Sequence, residues 1–241
     1  MTLVGMASLA QAACVGGGDI KGGFTITIAG KLVAGGTEAL AGVVTSDGKC
    51  GLTGKAYGNV NGVAITSSLS GTYNVNSDLT GTMTIALGGK PANTFHIDVV
   101  GKKKEVVGVE NDGTATSDIY LRAQVLKTFS NATLNGNYSY VCSNPGTGPC
   151  GISEWHFDGL GHGTYTDNYY GANGTLSSVS GSATYSVASD GSYTITINTG
   201  ANTYLSGGGI GSNGTNVPLA NVSQNGSGAA ASPIIFDAPK Q

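Results

Sequence analysis

The chain has 241 residues, with 11 Lys and Arg against 14 Asp and Glu and a net charge of -3, long enough for one large or two small domains with cores of their own. So few basic side chains speak against nucleic acid as a partner, and so few charges of either sign speak against a self-repelling disordered chain. Glycine, at 41 residues, is more than twice its usual share without a period of three, which excludes a collagen-like chain and points to many tight turns.

Residues 1–13, MTLVGMASLAQAA, form an apolar stretch ending in Ala10-Gln11-Ala12, the small-x-small signature of a secretory cleavage site. The segment lacks a basic n-region, so it is read as the tail of a longer signal, with a short ordered N-terminal element as the alternative. No later run reaches the ~20 consecutive apolar residues of a transmembrane helix. A chain without a transmembrane segment, secreted to the extracellular space or the periplasm, is expected. Cys14 follows directly, but Gln11 stands where a lipid-anchor site normally has an aliphatic residue. Of the three pairings that four cysteines allow, Cys142–Cys150 across a Pro/Gly turn is preferred, and Cys14–Cys50 follows by elimination, in keeping with an oxidising compartment. Zinc is disfavoured: the cysteines lack close paired spacing, and no His sits near Cys14 or Cys50.

Further along, apolar residues alternate with polar ones at period two, the pattern of half-buried strands. The rows are Phe24/Ile26/Ile28, Met83/Ile85/Leu87, Phe95/Ile97/Val99 and Ile119/Leu121/Ala123/Val125, then Tyr138/Tyr140, Tyr185/Val187 and Tyr193/Ile195/Ile197. Asp-Gly at 47–48, 112–113, 158–159 and 190–191, and Asn-Gly at 61–62, 135–136, 173–174 and 213–214, mark tight turns. No segment shows sustained helical periodicity. The chain also repeats itself. Gly71-Thr72-Tyr73-Asn74-Val75 returns as Ala183-Thr184-Tyr185-Ser186-Val187, Ile20 to Phe24 matches Leu134 to Tyr138, and Ser46-Asp47-Gly48 matches Phe157-Asp158-Gly159. The predicted fold is all-β: two tandem antiparallel up-and-down β-barrel (or sandwich) repeats of seven or eight strands, with 1–13 a signal remnant, 14–128 the first repeat and 129–241 the second with a C-terminal tail. The supply of aromatic residues is too small for the girdles of an outer-membrane barrel.

The phrase Gly71-Thr72-Tyr73-x-Val75-x-x-Asp78-x-x-Gly81-Thr82-x-Thr84-Ile85, the earlier Asp-Gly turn and the ending Tyr120-Leu121-Arg122-Ala123-Gln124 resemble a repeat found in uncharacterised secreted proteins of soil and sediment bacteria. The resemblance implies a small lipocalin-like or avidin-like barrel and an exported protein, and it carries no catalytic residue. The second copy departs from it, with Ala183 for the leading glycine and no Arg-x-Gln ending.

The densest polar cluster is Glu154-Trp155-His156-Phe157-Asp158-Gly159-Leu160-Gly161-His162. On a strand Glu154, His156 and Asp158 share a face, and His162 returns across the turn, so a carboxylate–imidazole metal site is one expectation. The other is an outward polar face over an inward Trp155/Phe157 pair, with Asp158-Gly159 serving the turn. His96 and Asp98 share a strand face but have no nucleophile elbow beside them. Gly209 to Gly214 matches a bare dinucleotide fingerprint yet leads to Pro218 rather than a helix, so it reads as a turn. Lys102-Lys103-Lys104 reads as a solvated hairpin tip.

No cofactor and no catalytic residue are expected. The leading functional expectation is a non-catalytic binding module, for a small hydrophobic molecule in a barrel or a glycan, with Trp155 and exposed Tyr165, Tyr169 and Tyr170 as contacts. The alternatives are a structural subunit of a matrix, surface layer or filament, self-assembling through the apolar tail 233–236, and a metal-dependent enzyme using the 154–162 cluster.

Overall fold

The structure is a computed structural model and describes residues 16–90, 92–101, 104–110, 112–126, 128–144, 148–170, 175–211, 217–224 and 235–237. The signal-like segment 1–13, Cys14, Lys102 and Lys103, and the turn residues 212–216 lie outside them.

The first eight strands are β1 (Lys21–Leu32), β2 (Thr37–Asp47), β3 (Gly51–Val60), β4 (Val63–Val75), β5 (Thr80–Leu87), β6 (Asn93–Val100), β7 (Glu105–Glu110) and β8 (Ala115–Ala123). Each pairs antiparallel with the next, and β8 returns to β1 from Phe24↔Ala123 to Leu32↔Ala115, which closes an up-and-down barrel. Closure leaves no free edge for this Thr- and Gly-rich sheet to pair with another chain. The period-two rows fall as the sequence predicts except at Val125, which lies past the end of β8 and is exposed. Phe24, Ile26, Ile28, Met83, Ile85, Phe95, Ile97, Ile119 and Leu121 are buried in one core, while the outward row of β4 is Thr66, Ser68, Ser70, Thr72 and Asn74, all exposed.

The second unit repeats the order with β9 (Asn135–Asn144), β10 (Gly148–Asp158), β11 (His162–Tyr170), β12 (Leu176–Val187), β13 (Ser192–Asn198), β14 (Thr203–Gly209) and β15 (Leu219–Gln224). These seven strands curl into a half-barrel. A three-residue strand, β16 (Ile235–Asp237), bridges its edges by pairing with β15 at Leu219 and Ala220 and with β9 at 141–143. Its core is aromatic where the first is aliphatic: Tyr138, Tyr140, Trp155, Phe157, Tyr165, Tyr185 and Tyr193 are all buried.

The repeated motifs are turn and plug chemistry. Asp47 Oδ1 accepts the N–H groups of Lys49 (2.6 Å) and Gly51 (2.9 Å), and Asp158 Oδ1 accepts those of Leu160 (2.7 Å), Gly161 (3.0 Å) and His162 (3.0 Å). The following Gly48 and Gly159 take φ of 73° and 77°, a conformation that side chains disfavour. The tyrosine of each Thr-Tyr phrase plugs one barrel end. Tyr73 donates its hydroxyl to the Ile20 carbonyl at 2.6 Å, and Tyr185 donates to the matching Leu134 carbonyl at 2.8 Å. Each bond ties mid-repeat β4 or β12 to the residue just before the first strand of its copy, so the repeated tyrosine is a closure device.

The two units touch along a glycine seam. A Cβ on Gly209 would lie 2.2 Å from the Gly42 carbonyl oxygen, and one on Gly207 would lie 2.5 Å from Cγ of Tyr57. Backbone-to-backbone approach this close requires glycine. Lys55 and Asp190 form an ion pair across the seam at 3.5 Å, and the Gln124 side chain donates to the Ile210 carbonyl at 2.8 Å. The seam explains why β2 does not show the alternation of its neighbours: from Glu38 to Val44 every residue is buried, because its outer face is covered by the second unit.

Cys50 is disulfide-bonded, with its partner outside the described side chains. The β9–β10 register sets Cys142 opposite Gly151, with Cys150 in the bulge beside it; the side chains of these two cysteines lie outside the described residues.

Candidate functional site

The Asp158 turn fixes the β10–β11 hairpin so that Trp155 faces Tyr165, Ser153 faces Asp167 and Gly151 faces Tyr169. Cross-strand partners lie on the same face of a sheet. Once Trp155 points inward, so do Tyr165, Asp167 and Tyr169. From the plugged end, the rings run as a column: Tyr185 meets Phe157 edge-on at 5.0 Å, Phe157 stacks on Trp155 at 5.5 Å, and Trp155 stacks on Tyr165 at 5.0 Å. Tyr138 and Tyr140 buttress the column edge-on at 5.5 Å and 6.1 Å. Gly181 makes the top ring fit, since a Cβ there would lie 2.8 Å from the Tyr165 hydroxyl oxygen.

Above the column, at the end away from the plug, lies a cavity of 390 Å³, within the size range of small-molecule sites. Its walls are Trp155 and Tyr165, the rim tyrosines Tyr169 and Tyr204, the aliphatics Val179, Ile197 and Leu219, and the polar Ser153, Asp167, Thr199, Ser206 and Asn221. Ser206 and Asn221 satisfy one another at 2.9 Å. Asp167 is different. The hydroxyl of Ser153 hydrogen-bonds its carboxyl group, yet Oδ1 is buried with no hydrogen-bond partner. Burial pushes the Asp167 carboxyl above its ordinary range, and the Ser153 bond offsets part of that rise. Burial, then the charge of Asp167, likewise holds the Tyr165 phenol up, so it stays a neutral hydroxyl.

Of the ligand contacts expected from the sequence, Trp155, Tyr165 and Tyr169 come together in this cup, and the side chain of Tyr170 lies outside the described residues. Tyr165 requires a correction: it is 5% exposed, inside the barrel against Trp155, and offers no surface platform. Tyr169 is 42% exposed at the rim. Ser153, Asp167 and Tyr204 were not among the expected contacts. The signal for two of them was in the sequence, because an Asp158 turn that pairs Trp155 with Tyr165 necessarily pairs Ser153 with Asp167.

The 154–162 cluster sits on the outer face. His156, Asp158 and His162 border one shallow groove of 350 Å³ with Thr164 and Thr184, while Glu154 and His156 border a neighbouring depression. The Asp158 carboxylate is taken up by the turn, whose backbone N–H groups hold it below its ordinary range. His156 Nδ1 is hydrogen-bonded to Asn137 Oδ1 at 2.8 Å. Among the described residues no group of three metal-ligating side chains converges.

In the first barrel the corresponding end holds Glu38, which is 3% exposed, with Ser117 donating to its carboxyl and Glu110 beside it. Burial pushes Glu38 up, the Ser117 bond offsets part of this, and Glu110 adds to the rise. The apolar segment 233–236 is partly accounted for: Ile235 and Phe236 belong to β16, and Pro233 and Ile234 lie outside the described residues. Among the described residues no helix is long and apolar enough to cross a membrane. No protein-family model matches the chain, and no curated protein was found to match it.

Proposed function

We propose that the chain is an exported, non-catalytic binding protein whose second barrel takes a small ligand with an apolar body in the Trp155–Tyr165 cup. One observation carries this reading: the second barrel keeps a 390 Å³ aromatic-walled space at its unplugged end, whereas the core of the first is mainly aliphatic, with Phe24, Tyr73 and Phe95 among it. Export is supported by the signal-like residues 1–13, by the disulfide at Cys50 and by the resemblance of the Gly-Thr-Tyr repeat to that of secreted bacterial proteins with small lipocalin-like or avidin-like barrels. The hydroxyl rows on the outer face of β4 suit water rather than lipid. The alternative of self-assembly through 233–236 would require β16 to leave its place between β15 and β9.

Trp155 is the single tryptophan of the chain and stands in the cup wall, so its emission responds to occupancy of the cup. Titration with cyclohexanol should change that emission saturably, and Tyr169→Ala or Tyr204→Ala at the rim should weaken binding a few-fold. Methyl glucoside serves as the glycan probe. A flat titration with both compounds overturns the proposal.

A further inference from the structure

We infer that the cup is built for an organic cation, an ammonium group carried on a compact hydrocarbon body. The inference rests on the cup being the binding site, and it goes further in naming what the cup selects. Asp167 is the only charged side chain among the described residues that line the cavity. No Lys, Arg or His stands with it there. A carboxylate among aromatic walls without a counter-cation is costly, because a buried acceptor forfeits its hydration and an unpaired charge forfeits more. The neutral Ser153 hydroxyl compensates only in part, since Oδ1 is left without a donor.

A bound ammonium would supply both missing things, a positive charge and N–H donors for the carboxyl group. The surrounding rings fit the same chemistry. Tyr165, Tyr169 and Tyr204 line the cavity with Asp167, and aromatic faces attract a partly desolvated cation. Val179, Ile197 and Leu219 provide apolar wall for the hydrocarbon body. A neutral sugar would find rings and hydroxyls here too, but it would leave the charge of Asp167 uncompensated.

Cyclohexylammonium and cyclohexanol have nearly the same shape and differ in charge, so the test is a pair of titrations followed by Trp155 emission. Cyclohexylammonium should bind the unaltered protein about tenfold or more tighter than cyclohexanol, the expected effect of a charge-assisted hydrogen bond. Asp167→Asn should remove most of that difference. Equal affinity for the two compounds, or full ammonium affinity in Asp167→Asn, overturns the cation inference and leaves the binding cup standing. Failure of both compounds to bind overturns the cup as well. The comparison on the unaltered protein stands even if the variant does not fold.

Discussion

The two barrels share strand order, turns and plug, and they differ in which side chains occupy the interior. With Asp47 set against Asp158, Val44 and Gly54 of the first barrel correspond to Trp155 and Tyr165 of the second, and each is a register pair. One pair further on, Gly42 and Ala56 correspond to Ser153 and Asp167. Across the next strand the sizes exchange: Gly54 pairs with Leu69 in the first barrel, and Tyr165 pairs with Gly181 in the second. The first barrel spends its interior on aliphatic packing. The second concentrates its bulk in one ring column and leaves open space above it, so a binding site arises without any change of topology.

Removing the column should break this difference most strongly. Phe157 is fully buried between Trp155, Tyr138 and Tyr185, and its counterpart in the first barrel is Ser46. Phe157→Ala should cost about 3–5 kcal/mol, the range for deleting a core aromatic, read from denaturant unfolding followed by Trp155 emission. Amide hydrogen exchange should accelerate in β9–β15 and hold in β1–β8. Equal acceleration in both would mean that the glycine seam joins the barrels into one cooperative unit, and the comparison would then apply to cores and not to stabilities.

The shared features were legible in the sequence because they are local. An Asp-Gly turn needs only a carboxylate and a residue that accepts positive φ, and Asp47, Asp112, Asp158 and Asp190 all accept N–H groups two residues on. Period two announced the strands, and the repeated Thr-Tyr phrase announced the copies, although not that its hydroxyl reaches Ile20 or Leu134. The cup was only half legible. Tyr165, Asp167 and Tyr169 alternate with Thr166 and Asn168, so either face could be taken as the polar one, and an acidic residue in the inward row opposes the usual rule. The seam was not legible. The glycines at 207–209 belong to β14, and their role depends on Gly42 and Tyr57 more than a hundred residues earlier in the chain.

The plug sharpens the comparison at smaller scale. Tyr73 and Ser46 both donate to the Ile20 carbonyl, each at 2.6 Å, and their hydroxyl oxygens lie 2.8 Å apart. In the second barrel Phe157 stands where Ser46 would be, and Tyr185 bonds the Leu134 carbonyl without such a helper. Tyr73→Phe therefore leaves its carbonyl still bonded and should cost about 0.5–1 kcal/mol, whereas Tyr185→Phe should cost about 1–2 kcal/mol because a buried acceptor loses its donor. Denaturation of the two variants side by side checks the order. Equal costs would mean that Ser46 does not act as a substitute donor.

The smallest effect distinguishes the acids at the unplugged ends from those in the turns. Burial raises the pKa of Glu38, so the folded first barrel holds its proton to higher pH than the unfolded chain does. Its contribution to stability is then full below the ordinary glutamate range and is lost as pH rises through the raised value. The turn carboxylates have the opposite sign. Asp47 and Asp158 are held below their ordinary range by backbone N–H groups, so their contribution is present near neutrality and is lost as pH falls through the lowered values. Glu38→Gln should therefore reduce the decline in stability above the glutamate range, leaving the part that the raised Asp167 and Glu110 contribute, and leave the acid limb untouched, as read from denaturation midpoints across pH. A decline that Glu38→Gln leaves as large as in the wild type would mean that Glu38 ionises as freely as a surface glutamate, and the enclosed carboxyl would then be a feature of the second barrel alone.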